Sequence, residues 1–67
     1  MKIILNNCPE EFSADTMTVR QLLDERKFSF KLLIIKINGI LVKKDAYEVT
    51  FIKDGDQVDV IHLMSGG

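Results

Sequence analysis

Asn38 and Gly39, set between the apolar runs Leu32 to Ile37 and Ile40 to Val42, constrain the fold of this chain more than any other feature. A two-residue Asn-Gly linker between such runs favours a type I′ turn, because both residues tolerate positive φ and the turn's twist matches that of the strands it joins. The segment is therefore read as a tight β-hairpin. Alternation along its first strand turns Leu33, Ile35 and Ile37 inward and leaves Ile34 and Lys36 outward.

One helix is available to cover that inward face. Thr18 followed three residues later by Gln21 is a capping box, in which each side chain satisfies an orphan amide of the first turn. Val19, Leu22 and Leu23 then fall at i, i+3 and i+4, a single apolar stripe, while Arg20, Asp24 and Glu25 face water. The helix is placed over about residues 19–26. Phe28 and Phe30 lie beyond it in an irregular link, where they would cover an edge of the core.

The two ends of the chain read as strands. Met1 to Asn7 alternates so that Met1, Ile3 and Leu5 share the core face. Asn6 to Pro9 supplies turn chemistry, and a short second strand through Glu10, Glu11, Phe12 and Ser13 would complete an N-terminal hairpin, Pro9 being unable to donate to a central ladder. Ala46 to Ile52 carries no clear period, and Tyr47 and Phe51 are read there as lid residues over the core. Asp54, Gly55 and Asp56 form the turn into a last strand, in which Val58 and Val60 point to the core and Asp59, Ile61 and Leu63 point out.

Hairpin, helix, hairpin and final strand, in that order, bury one apolar helical stripe most simply as one layer against one sheet. The helix and second hairpin give the long crossover that lets the first and last strands lie side by side in parallel at the centre. The expected fold is α+β: a β-grasp, ubiquitin-like, mixed four- to five-stranded sheet with one helix packed on one face. Sixty-seven residues allow a single domain, near the lower limit for a core without staples. That domain is placed at residues 1–63, with 64–67 as a flexible tail.

Composition excludes several classes of function. Nine Lys and Arg against ten Asp and Glu give a net charge of −1 and no basic stripe of the kind that tracks phosphates, so nucleic acid is not expected as a partner. A lone cysteine, Cys8, permits no internal disulfide, which fits a reducing compartment. The longest apolar run, Leu32 to Ile35, is far short of the ~18 residues that suggest a membrane span. A soluble, cytoplasmic protein without a membrane association is expected. His62 has no partners for a triad and is read as a half-buried or edge imidazole; Cys8 is read as a half-exposed bystander; Asp54 and Asp56 lack the further oxygen ligands of a Ca²⁺ site, so no metal is expected.

What remains is the ending, Ser65, Gly66, Gly67. Two glycines make the narrowest and least constrained tail a polypeptide can offer, able to enter a slot that any side chain would block. The strand before them aims that tail outward. Met64 to Gly67 spans at most about 13 to 14 Å, enough to cross the wall of a partner's cleft. Ile61 and Leu63, outward beside the tail, and Ile34, outward on the hairpin, are candidates for the apolar patch a partner would cover.

The hairpin INGILV from Ile37 to Val42, the run KDGDQVDVIHLMSGG from Lys53 to Gly67, the capped helix TVRQLL from Thr18 to Leu23 and the total length together resemble the ThiS/MoaD ubiquitin-like sulfur carriers, and within them the ThiS carriers of thiamine biosynthesis. The likeness spans essentially the whole chain, although the Asn-Gly, Asp-Gly-Asp and terminal Gly-Gly elements are each weakly specific alone. It implies a protein cosubstrate rather than an enzyme. A ThiF-like adenylyltransferase using ATP and Mg²⁺ would adenylate the Gly67 carboxylate, sulfur from a cysteine desulfurase route would convert it to a thiocarboxylate, and a ThiG-like thiazole synthase would accept that sulfur. Gly66, Ser65, Met64, Leu63, Ile61 and Ile34 would contact those partners, and the carrier would bind no cofactor itself. A molybdopterin-type carrier, a ubiquitin-like modifier and a noncovalent β-grasp module remain open alternatives, with the short length favouring the thiamine type.

Overall fold

The computed structural model describes residues 1–28 and 33–62. Seven strands and one α-helix follow one another as β1 (Lys2–Leu5), β2 (Cys8–Glu11), β3 (Thr16–Thr18), α1 (Val19–Glu25), β4 (Leu33–Ile37), β5 (Ile40–Val42), β6 (Phe51–Lys53) and β7 (Gln57–His62), with a 3₁₀ turn at Lys44–Ala46. Five of the strands form one sheet in the order β2-β1-β7-β4-β5. β1 and β7 pair in parallel at its centre, and the other pairings are antiparallel. This is the β-grasp arrangement expected from the sequence.

The local signals act as their chemistry requires. Asn38 and Gly39 take φ values of 52° and 83°, the doubly positive conformation of a type I′ turn, and bring Ile37 opposite Ile40. At α1, the Thr18 hydroxyl accepts from the Gln21 amide at 3.1 Å and the Gln21 side chain accepts from the Thr18 amide at 2.8 Å, completing the capping box. Val19, Leu22 and Leu23 are buried against Ile3, Leu5, Ile35, Val58 and Val60 of the sheet, while Met1, Phe28, Leu33 and Ile37 pack on the margin of this core. Arg26, just past the helix, stacks over the Phe12 ring at 4.6 Å and donates to Glu10 at 2.6 Å, tying the helix end to β2.

Three expectations change. The second strand runs Cys8–Glu11, not Glu10 to Ser13, because Asn6 and Asn7 themselves form the two-residue turn, with φ of 50° and 66°, and close the hairpin at Leu5 opposite Cys8. Pro9 is accommodated opposite Ile4 because β2 is an edge strand, where one missing amide leaves no gap in a central ladder. β3 and β6 form a second, two-stranded sheet that local patterning did not announce, with Met17 opposite Ile52 and both buried. Phe51, expected as a lid, is instead 62% exposed, since Ile52 takes the inward position on this strand. Cys8 is exposed. Phe30 lies outside the described residues.

β7 outruns its parallel neighbour. β1 pairs with it only through Ile4 opposite Gln57 and Leu5 opposite Val58. Beyond that point Asn6 substitutes for a strand: its amide donates to the Val58 carbonyl at 2.9 Å and its side-chain oxygen accepts from the Val60 amide at 2.8 Å. β7 is thereby paired on this side as far as Val60.

Candidate functional site

β7 and β4 together build the surface around His62, the last described residue. Their register sets Leu33 opposite His62, Ile34 opposite Ile61 and Lys36 opposite Asp59. Alternation puts Val58 and Val60 into the core and leaves Ile61 on the outer face, 42% exposed. Ile34, half-buried, is its direct cross-strand neighbour, and side chains so opposed have Cβ atoms about 5 Å apart. The two isoleucines singled out from the sequence thus form one apolar pair at the tail end of the sheet.

Leu41 extends this pair, although sequence reading did not single it out. It stands opposite Lys36 on β5, diagonal to Ile34 on the same face, and is 55% exposed. The signal was present, since fixing the turn at Asn38 and Gly39 fixes which residues of β5 alternate outward. Lys36 and Asp59, opposite each other, give the patch a polar border of both signs. Leu63, Met64, Ser65, Gly66 and Gly67 lie outside the described residues.

His62, the last described residue, is exposed, and its ring packs against that of Phe28 with centroids 5.8 Å apart. Asp54 and Asp56 are committed to the fold. Asp54 Oδ1 accepts from the Lys2 amide at 2.7 Å, while buried Asp56 accepts from Asn38 Nδ2 and from the Lys53 amide, each at 3.0 Å. Among the described residues no group of three or more His, Cys, Asp or Glu side chains is placed to hold a metal ion. Nor is any described helix long and apolar enough to cross a membrane. Burial raises the Tyr47 phenol above its ordinary pKa, so its hydroxyl stays neutral. The described surface thus offers an apolar patch at the end of the sheet where β7 reaches His62.

A family model described as the ThiS family matches residues 3–67. The chain belongs to the ThiS family. Among curated proteins, this ThiS-family chain is 27% identical over 63 residues to the sulfur carrier protein ThiS of Bacillus subtilis, an alignment covering 94% of the chain and 96% of the relative. It is 31% identical over all 67 residues to a thiazole synthase of Paramagnetospirillum magneticum, but spans only 20% of that longer protein. Among solved structures, the crystal structure of the thiamine biosynthesis protein ThiS from Geobacter metallireducens superposes with a TM-score of 0.90 at 29% identity, covering 100% of both chains. The solution structure of a thiamine biosynthesis protein from the same organism gives a TM-score of 0.81 and is covered to 88%.

Proposed function

We propose that this chain is a sulfur carrier for thiamine biosynthesis and that the Gly67 carboxylate is the group that carries the sulfur. The observation that bears most weight is that the ThiS-family match runs to Gly67, taking in the diglycine as well as the folded part of the chain. The likeness to the Bacillus subtilis sulfur carrier along nearly the full length of both chains supports the same reading.

The chemistry follows from what a carboxylate lacks. Its oxygen is a poor leaving group, so acyl transfer needs prior activation. An adenylyltransferase of the ThiF type joins the Gly67 carboxylate to the α-phosphate of ATP, releasing pyrophosphate, with Mg²⁺ held by that enzyme. A persulfide formed by a cysteine desulfurase then adds through its terminal sulfur at the acyl carbon and expels AMP, and a thiol cleaves the S–S bond of the acyl disulfide so formed, becoming oxidised to a disulfide as the thiocarboxylate is released. The resulting thiocarboxylate is a stronger nucleophile than the carboxylate it replaces. A thiazole synthase is its consumer, a partnership favoured by the stretch similar to this whole chain within the Paramagnetospirillum thiazole synthase.

The carrier's own contribution is geometric. Residues 1–63 act as the rigid domain and 64–67 as the reaching tail, in which Gly66 gives clearance and Ser65 and Met64 line the approach. Leu63, Ile61 and Ile34 give the enzymes an apolar surface to seat. Intact-mass spectrometry on the chain expressed in thiamine-starved cells with its activating enzyme tests the reading. Exchange of one oxygen for one sulfur, localised to Gly67 by fragmentation, is expected. An isopeptide adduct at Gly67 would instead make the chain a modifier, and a terminus unchanged under every sulfur and vitamin regime would make it a binding module.

A further inference from the structure

A second surface adjoins the apolar pair at the sheet's β5 edge and shares Ile34 with it. α1, β4, β5 and the 3₁₀ turn enclose an open groove of about 420 Å³ whose apolar wall includes Leu23, Phe28, Leu33 and Tyr47. Its shape is set by the backbone: the Arg20 amide donates to the Tyr47 carbonyl at 3.0 Å and the Tyr47 amide to the Lys44 carbonyl at 3.3 Å, pinning the link after β5 to the start of α1.

Charge on the rim is one-sided. Of the charged residues lining the groove, Arg20 and Asp24 neutralise each other at 3.3 Å. Lys43 and Lys44, both exposed, have no carboxylate within ion-pair distance among the described residues. These two unpaired cations stand on a chain whose overall net charge is −1. Covering an apolar groove beside two ammonium groups costs desolvation unless the covering surface brings carboxylates to them. The position matters as well. Leu33, in the groove wall, stands opposite His62, and Phe28 packs on the His62 ring, so the groove lies at the end of the sheet where β7 reaches His62, five positions before Gly67 in the sequence.

We propose that this groove docks an acidic segment of the enzyme that works on the tail, with an apolar side chain entering between Leu23, Leu33 and Tyr47 and flanking carboxylates meeting Lys43 and Lys44. The inference rests on the carrier reading for the identity of the enzyme and on this surface for the mode of attachment. It gives the carrier a grip that shares Ile34 and Leu41 with the outer apolar patch and reaches beyond it to Leu23, Tyr47 and the two lysines. Rim charges of this kind act chiefly on association rate and on its salt dependence.

The test is a binding measurement on the purified chain against the ThiF-type adenylyltransferase and the thiazole synthase of its own organism. Lys43→Glu with Lys44→Glu is expected to weaken binding to at least one of them by about tenfold, mainly through slower association. That difference should shrink between about 0.01 M and about 0.15 M salt, as the screening length falls from roughly 30 to 8 Å. Lys43→Arg with Lys44→Arg should bind like the parent. Lys2→Glu with Lys53→Glu makes the same change in net charge at the far end of the sheet and should bind within about twofold of the parent, as a screened, distant charge would. Equal losses for the two reversals would reduce the effect to net charge and overturn the proposal. So would an unchanged affinity for the Lys43 and Lys44 reversal; pyrophosphate exchange proceeding normally in that variant would then leave the carrier reading standing. A parent chain that binds neither enzyme would overturn both.

Discussion

At the end of the sheet where Asn38 and Gly39 turn, polar groups interlock: Asn38 donates to Asp56 at 3.0 Å and accepts from the Gln57 amide at 2.9 Å, Asp56 accepts from the Lys53 amide, and the Lys2 amide and carbonyl are taken by Asp54 and Gly55. At the opposite end, where Leu33 faces His62, the strands pair through their ladder, the His62 ring meets Phe28, and apolar side chains face outward near Lys43 and Lys44, which have no ion-pair partner among the described residues. The first end satisfies its own polar groups, and the large apolar side chain it leaves uncovered beside the turn is Ile40, 71% exposed. The second presents surface whose burial or pairing only another molecule can complete. β7 runs between them, anchored at Gln57 and directed past His62, so stability and recognition are assigned to opposite ends of one strand. Substitutions at the two ends should therefore separate these properties, and a variant that moves both at once would break the division.

The largest separation is expected from Gly67→Ala. A methyl group on the last residue must shift the reacting carboxylate within the activating site, and a displacement of ~1 Å in a bound reactant costs about a hundredfold in rate. ATP–pyrophosphate exchange with the adenylyltransferase should fall by that factor, while the thermal midpoint stays that of the parent. Retained exchange would remove the diglycine from the chemistry.

The converse is expected from Asp56→Ala. It strips partners from Asn38 Nδ2 and from the Lys53 amide around a residue only 5% exposed. Leaving such groups unsatisfied costs about 1 to 3 kcal/mol. In a domain of this size that lowers the midpoint by roughly 5 to 20 °C, readable by calorimetry. Pyrophosphate exchange at a temperature where the variant is folded should match the parent, and a loss there would mean that the locked end also serves recognition.

The same contrast explains what could be read from the residues alone. The locked end was legible because it is local: Asn38 with Gly39, Asp54 to Asp56 and the Thr18 and Gln21 box each carry their chemistry within four positions. The β3 and β6 pair was not, because three-residue strands are too short to show a period and Met17 and Ile52 lie 35 positions apart in the chain. Asn6 and Asn7 were recognised as turn formers, yet the turn's tightness, which moved β2 toward the N-terminus, depended on both adopting positive φ. The apolar pair at the tail end was half legible. Alternation gave the outward face of Ile61 and of Ile34, whereas their direct opposition required the pairing of β4 with β7. The groove around Lys43 and Lys44 was invisible, since it joins a helix, two strands and a link that come together only in the folded chain.

The smallest and most discriminating effect is expected from Ile61→Ala. Its side chain is 42% exposed and its main neighbour across the strand is Ile34, so removing it forfeits only part of one surface pair, worth about 0.2 to 1 kcal/mol. The folded chain should barely notice in urea denaturation. A partner that seats on the outer face would notice more, because there the same side chain becomes fully covered, and truncating an interface anchor costs upward of ~1 kcal/mol, or about fivefold in affinity. The weakening should appear in dissociation rate and persist at raised salt, unlike the loss expected from reversing Lys43 and Lys44. If Ile61→Ala instead unfolds the chain more readily without changing partner affinity, the apolar pair belongs to the fold, and recognition at this end narrows to the tail and the basic groove.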